Sequence, residues 1–203
     1  MSRVRTRPTR DDTREKLFEA AARVCEEQGI GGASIEDIAA AAGFTRGAFY
    51  SNFKSKDELI IAMIEEHVEQ SIRRTHELLA RHNNLPDFLA ALKTMDRTKQ
   101  DPLGRSPLLH MEMILFVARA EKRRPELAKR LRARRKLIAD IVETTARNSG
   151  RDPRLNPAWT GAVLLALEDG FRLHRLIDPE TTPADGFLRA IGDLQRAMGI
   201  TSA

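Results

Sequence analysis

The residues best equipped to do chemistry in this chain lie between Ser34 and Phe53, where two short helical stretches hinge on Gly43. The chemistry is recognition rather than catalysis. Arg46 carries a planar fork of donors that can bond guanine O6 and N7 together. Gly47 and Ala48 are small enough to let the backbone approach base edges, and Ala48 can also meet a thymine methyl. Thr45 is placed to cap the second helix, whose N-terminal N–H groups and dipole favour a phosphate. Ser34 can do the same one helix earlier, with Asp37 positioned to complete a capping box. Ile35, Ile38, Ala39 and Ala42 recur at helical spacing, and Gly43 is where that helix should stop. Phe44 returns the chain to the core, and Phe49 and Phe53 face inward from the second helix. The pattern predicts a helix-turn-helix over 34–53 that holds a short helix against DNA. An ordinary helical hairpin would have no need of an exposed second helix carrying Thr45, Arg46, Gly47, Ala48, Tyr50 and Asn52.

Other chemistries find no residues. There is no phosphate-cradling glycine loop, nucleophile elbow or zinc-binding histidine pair, so no enzyme is expected. The histidines His67, His76, His82, His110 and His174 lack i, i+4 pairing with carboxylates or cysteines; no metal and no cofactor is expected. Cys25 falls on an apolar stripe with Leu17, Ala21 and Val24 and reads as a small core residue. As the single cysteine it cannot form an internal disulfide, which makes the cytoplasm the default location. No apolar run approaches the ~18 residues of a membrane span, and the arginine-rich start leads into no signal-type stretch.

The elements that must position the reading residues are helical almost end to end. With 41% hydrophobic and 31% charged residues the chain has the composition of a globular protein, and no alternating strand pattern occurs. About nine helices are expected, an all-α fold. The first starts near Asp12 and runs to about Gln28. Ser55 and Glu58 form a capping box that starts a long fourth helix reaching roughly Arg81. Pro86 opens a fifth, Pro107 a sixth, Pro125 a seventh, Pro157 an eighth and Thr182-Pro183 a ninth. The organisation is a basic arm over 1–10 (Arg3, Arg5, Arg7, Arg10), a DNA-binding head over 11–71 and a ligand-binding and dimerisation bundle over 72–203. The net charge of +5 is unevenly spread: residues 1–58 carry ten Lys/Arg and ten Asp/Glu, whereas residues 119–136 carry ten Lys/Arg against Glu121 and Glu126. The local motif therefore says more than the global charge.

The stretch from Thr13-Arg14-Glu15-Lys16-Leu17 through Ser34–Ala39, Ala42–Tyr50 and Asn52–Leu59 resembles the tetracycline-repressor (TetR) family of bacterial transcriptional regulators. The resemblance covers roughly residues 11–71; beyond it only helix number and order correspond. It implies an all-helical homodimer whose N-terminal heads read a palindromic double-stranded DNA operator. Tyr50 and Lys56 resemble the family's phosphate contacts, and Asn52 sits where the family often has a histidine.

Two further sets of residues follow from helical spacing. Trp159, Val163, Ala166, Gly170, Leu173 and Ile177 form one stripe of a helix apolar around most of its circumference, which predicts burial on two sides. Phe187, Leu188, Ile191, Leu194 and Met198 add a second helix. Val163, Ala166, Gly170, Leu173, Ile177, Phe187, Ile191 and Leu194 are thus the expected two-fold interface. Met63, His67, Met95, His110, Met113, Phe116 and Trp159 are candidates to line an apolar pocket for a small-molecule effector, although such residues also make plain core. The function expected is a homodimeric repressor released by its effector. A transcriptional activator and an architectural DNA-binding protein stay open at this point.

Overall fold

Glycine sets the first boundaries. Gly29 takes φ 75° and ψ 158°, backbone angles that only glycine adopts readily, and kinks α1 (Arg10–Gly32) just before its end. The computed structural model describes residues 9–82, 87–88, 90–91, 106–148 and 156–197. Among the described residues it is all-helical, with no strand. After α1 come α2 (Ile35–Ala41), α3 (Arg46–Tyr50) and α4 (Lys56–Arg81). The chain continues with α5 (Pro107–Arg119), α6 (Arg124–Asn148), α7 (Pro157–Ile177) and α8 (Gly186–Ala197). The additional helix expected from Pro86 lies mostly outside the described residues; Asp87, Phe88, Ala90 and Ala91 are helical.

Two starts differ from expectation. Thr9, not Asp12, caps α1: its hydroxyl accepts from the Asp12 N–H at 3.1 Å, while the Asp12 carboxylate accepts from the Thr9 N–H at 2.9 Å. A threonine followed by an acid three residues on satisfies two orphan donors, which an aspartate cap with Glu15 would not improve. The last helix begins at Gly186 rather than near Pro183, because a turn intervenes, closed by the Gly186 N–H donating to the Pro183 carbonyl at 3.0 Å.

The chain divides into two compact units, and the division falls inside α4, between His67 and Val68. The first unit holds the described residues up to His67 together with α5. Its core is Leu17, Ala20, Ala21 and Cys25 from α1, Ile38 from α2, Phe49 from α3, Phe53, and Leu59 and Ile60 from α4, all essentially inaccessible. Burying each large side chain of this kind contributes roughly 1.5–3 kcal/mol. The second unit holds the rest of α4 and α6–α8. There Phe88, Leu137 and Ile141 pack with Ile72, Leu78 and Leu79. Gly161 lets α7 lie against α6 so closely that a Cβ would sit 2.5 Å from the Arg135 carbonyl oxygen. Glu168 accepts from Arg134 at 3.0 Å and Arg172 at 2.7 Å, all three side chains largely buried. Part of the basic run is thereby neutralised: Arg130 pairs with Glu69 and Lys136 with Asp140 as well.

Candidate nucleic-acid interface

The turn between α2 and α3 is built from the backbone outward. Gly43 has φ +74°, its N–H donates to the Ala40 carbonyl at 3.0 Å, and the Phe44 N–H donates to the Ala39 carbonyl at 2.8 Å. This pair of bonds is the Schellman closure, and it requires a residue at ease with positive φ. Thr45 then restarts the helix, its hydroxyl accepting from the Ala48 N–H at 3.2 Å. The aromatic residues fix the short α3 from behind. Phe49 and Phe53 lie 5.9 Å apart and are 0% and 1% exposed, with Phe18 a further 5.7 Å from Phe53 and the Arg14 guanidinium 4.5 Å above the Phe53 ring.

What remains on the outside is polar and small. Arg46 is exposed, and so are Gly47, Thr45 and Tyr50, while Ala48 is half-buried. A Cβ at Gly47 would meet only the Thr45 hydroxyl, at 3.7 Å, so the surface of α3 is open there. The hydroxyls of the two caps are not equivalent. Thr45 accepts from backbone and keeps its proton to donate, whereas Ser34 donates its own to the Asp37 carboxylate at 2.6 Å while accepting from the Asp37 N–H at 3.0 Å.

Asn52 and Lys56 turn toward the protein. The Asn52 amide donates to the Ala48 carbonyl at 2.9 Å and fastens the end of α3. The Lys56 ammonium donates to the carbonyls of Ile30, Gly31 and Ala33 at 2.9, 3.3 and 2.8 Å, which occupies the three donors a lysine has. The same turn is held from the other side, where the Glu112 carboxylate of α5 accepts from the Ile30 N–H at 2.6 Å. Cys25 lies beneath, and burial pushes its thiol up to about 11.

The motif's geometry has close counterparts. A family model described as bacterial regulatory proteins of the tetR family matches residues 17–63, and one for a tetracyclin repressor-like C-terminal domain matches residues 104–197. The chain belongs to the TetR family. The HTH-type transcriptional regulator TtgR of Pseudomonas putida is 36% identical over 91 residues, 45% of this chain and 41% of that protein. The match thus spans about two-fifths of the length of that relative. The HTH-type transcriptional regulator PksA of Bacillus subtilis is 28% identical over 188 residues, 88% of this chain and 85% of its own. Among solved structures, reduced E. coli NemR shares the fold with a TM-score of 0.72 at 24% identity, covering 90% of this chain and 96% of its own. FadR of Bacillus subtilis, solved with stearoyl-CoA, does so at 0.69 and 17%, covering 89% and 96%.

Of the residues expected from helical spacing at a two-fold interface, most of those on α7 are open. Along α7, Trp159 is 69% exposed, Val163 37%, Leu173 44% and Ile177 77%, and a Cβ at Gly170 would meet nothing within 4 Å. Ala166 is exposed as well, Phe187 and Ile191 on α8 are half-buried, and Leu194 is 49% exposed. Of the candidate effector residues, Met63, His110 and Met113 are buried in the first unit, where His67 and Phe116 are half-buried. Trp159 belongs to the second unit, and Met95 lies outside the described residues. Among the described residues no cluster of three or more His, Cys, Asp or Glu could hold a metal ion, and no helix is long and apolar enough to cross a membrane.

Two acidic residues near the motif escape a reading by spacing. Glu36 meets Arg46 across the turn, and Glu112 reaches Ile30 from a distant helix. For Glu36 the signal was present but ambiguous, since an acid in a helix's first turn is explained by the dipole alone. For Glu112 the sequence holds none.

Proposed function

We propose that this protein is a sequence-specific DNA-binding transcriptional regulator, a homodimeric repressor that a small-molecule effector releases from a palindromic operator. The observation that carries the reading is the short α3, with its own Phe49 and the following Phe53 buried behind it and Arg46 and Tyr50 exposed in front. Arg46 reads a guanine, Gly47 and Ala48 admit the base edges, and Thr45 and Tyr50 contact phosphates. Ser34 serves the same surface from the N-terminus of α2, while Lys56 holds the end of α1 and Asn52 the end of α3. The open apolar stripe of α7 and α8 supports a two-fold dimer, whose heads would enter successive major grooves about 34–36 Å apart. Such a regulator works in the cytoplasm, where the chromosome is.

Release needs a ligand that binds the DNA-incompetent arrangement better than the competent one. A preference of about 1.4 kcal/mol lowers operator affinity tenfold. α4 runs without interruption from Lys56 to Arg81 and is the element suited to carry that preference along the chain. Footprinting on DNA flanking the protein's own gene, with and without a panel of small apolar compounds, tests the reading. One protected palindrome that is lost with a compound supports it. Equal protection of all sequences would replace it with an architectural role.

A further inference from the structure

Arg46 is already held in place without DNA. Its Nη1 lies 2.8 Å from Glu36 Oε1 on α2, its Nη2 donates to the Tyr50 hydroxyl at 3.4 Å, and its Cζ stands 5.5 Å from the centre of the Tyr50 ring. The Arg46 and Glu36 side chains are 64% and 55% exposed, so the pair adds little to stability. Its consequence is orientation. A guanidinium has five N–H donors in a rigid plane; one on Glu36 and one on Tyr50 leave enough for a fork.

We infer that Glu36 is a specificity-determining residue, which holds the Arg46 fork for a guanine edge and keeps it from the phosphates. The inference rests on α3 being the recognition helix. A guanidinium that swings to a phosphate must leave Glu36, whereas one that reads a base beside it keeps the ion pair. The carboxylate also repels the phosphate chain, so it weakens sequence-independent contact at the same time. Glu36 stands on α2 and Arg46 on α3, so the first helix of the motif sets the aim of the second.

The test uses the full chain and a pool of random-sequence duplexes. The duplex enriched by the wild type and a shuffled version of it are then titrated over a range of salt with wild type, Glu36→Ala, Arg46→Ala and the double variant. Glu36→Ala should lower the ratio of the two affinities about three- to tenfold, a fraction of what a bidentate arginine–guanine pair is worth. On the shuffled duplex it should bind more tightly, with the slope of log affinity against log salt steeper by about 0.9 as Arg46 gains a phosphate. In the Arg46→Ala background the same substitution should change the ratio by less than about twofold, because its effect runs through Arg46. Glu36→Gln, which keeps the helix former and loses the charge, should move the ratio in the same direction. An unchanged ratio in Glu36→Ala, or an equal fall in the Arg46→Ala background, overturns the inference while leaving α3 as the reader. A wild type that enriches no sequence overturns both.

Discussion

The helix-turn-helix and the α7–α8 surface treat their apolar side chains in opposite ways. In the first, Ile38, Phe49 and Phe53 are sealed inside the unit and the exposed face is arginine, threonine, tyrosine and small residues. In the second, Trp159, Val163, Leu173, Ile177 and Leu194 stand open to solvent, along helices that are otherwise well packed. A surface meant for a charged, hydrated polymer completes its own core and offers donors. A surface meant for a second copy of itself leaves its core unfinished, because the partner supplies the missing half. On the function proposed, the difference separates residues that act within one chain from those that await a second copy.

The comparison breaks most visibly if the open stripe has no partner. Leu173→Glu combined with Ile177→Glu places two charges on a face that is already exposed, so helicity should be unchanged. Sedimentation at micromolar concentration should show half the mass of the wild type. Affinity for a full palindrome should fall on the order of a hundredfold or more, since the second head no longer binds as part of the same molecule. A variant that stays dimeric would mean that the stripe belongs to some other surface.

Phe53→Ala tests the sealed side. Truncating a buried phenylalanine costs about 3–5 kcal/mol, and here it also removes the ring that meets Phe18, Phe49 and Arg14. Urea unfolding should show the first unit losing that stability and DNA binding with it. Normal DNA binding by this variant would show that the phenylalanines do not hold α3 in place.

How much of this was legible in the sequence depends on the range of the interactions. Gly43, Thr45, Ser34 and the two phenylalanines could be read because each acts within a few residues, through a cap, a positive φ or helical spacing. The α7 stripe was legible for the same reason: period alone puts Val163, Ala166, Gly170, Leu173 and Ile177 on one side. That Lys56 and Asn52 turn toward the protein was not legible, since nothing in their spacing tells whether a polar side chain turns to solvent or to a nearby carbonyl. The start of α1 was misplaced by one cap because Thr9 and Asp12 are both good N-caps. Contacts across the fold, such as Glu112 with Ile30, leave no local trace at all.

A smaller effect sharpens the account of the turn. A Cβ at Gly43 would touch nothing within 4 Å, so Gly43→Ala isolates the cost of φ +74° from any clash. That cost is about 1–2 kcal/mol, to be read from thermal unfolding of the first unit. A loss near zero would mean that the turn relaxes without glycine, and that its shape is not what fixes α3.

The smallest effect comes from acid, and it acts alike on the two units that hold these regions. The Asp12 carboxyl is held below the usual carboxylate value by its hydrogen bonds to Thr9, backbone first and hydroxyl second. The Asp178 carboxyl, in the turn between α7 and α8, is lowered in the same way by the hydroxyl and then the backbone of Thr181. A carboxyl whose folded pKa is depressed lends stability that is fully present above its unfolded pKa and is lost as pH falls through the folded one. Both turns should therefore loosen together below about pH 4, with the Thr9 and Thr181 amide resonances titrating at midpoints under the ordinary aspartate value. If one midpoint lies at or above that value, its turn is not held by its carboxylate. If both lie below it, acid cannot separate the two regions, and only a charge placed on the apolar stripe can.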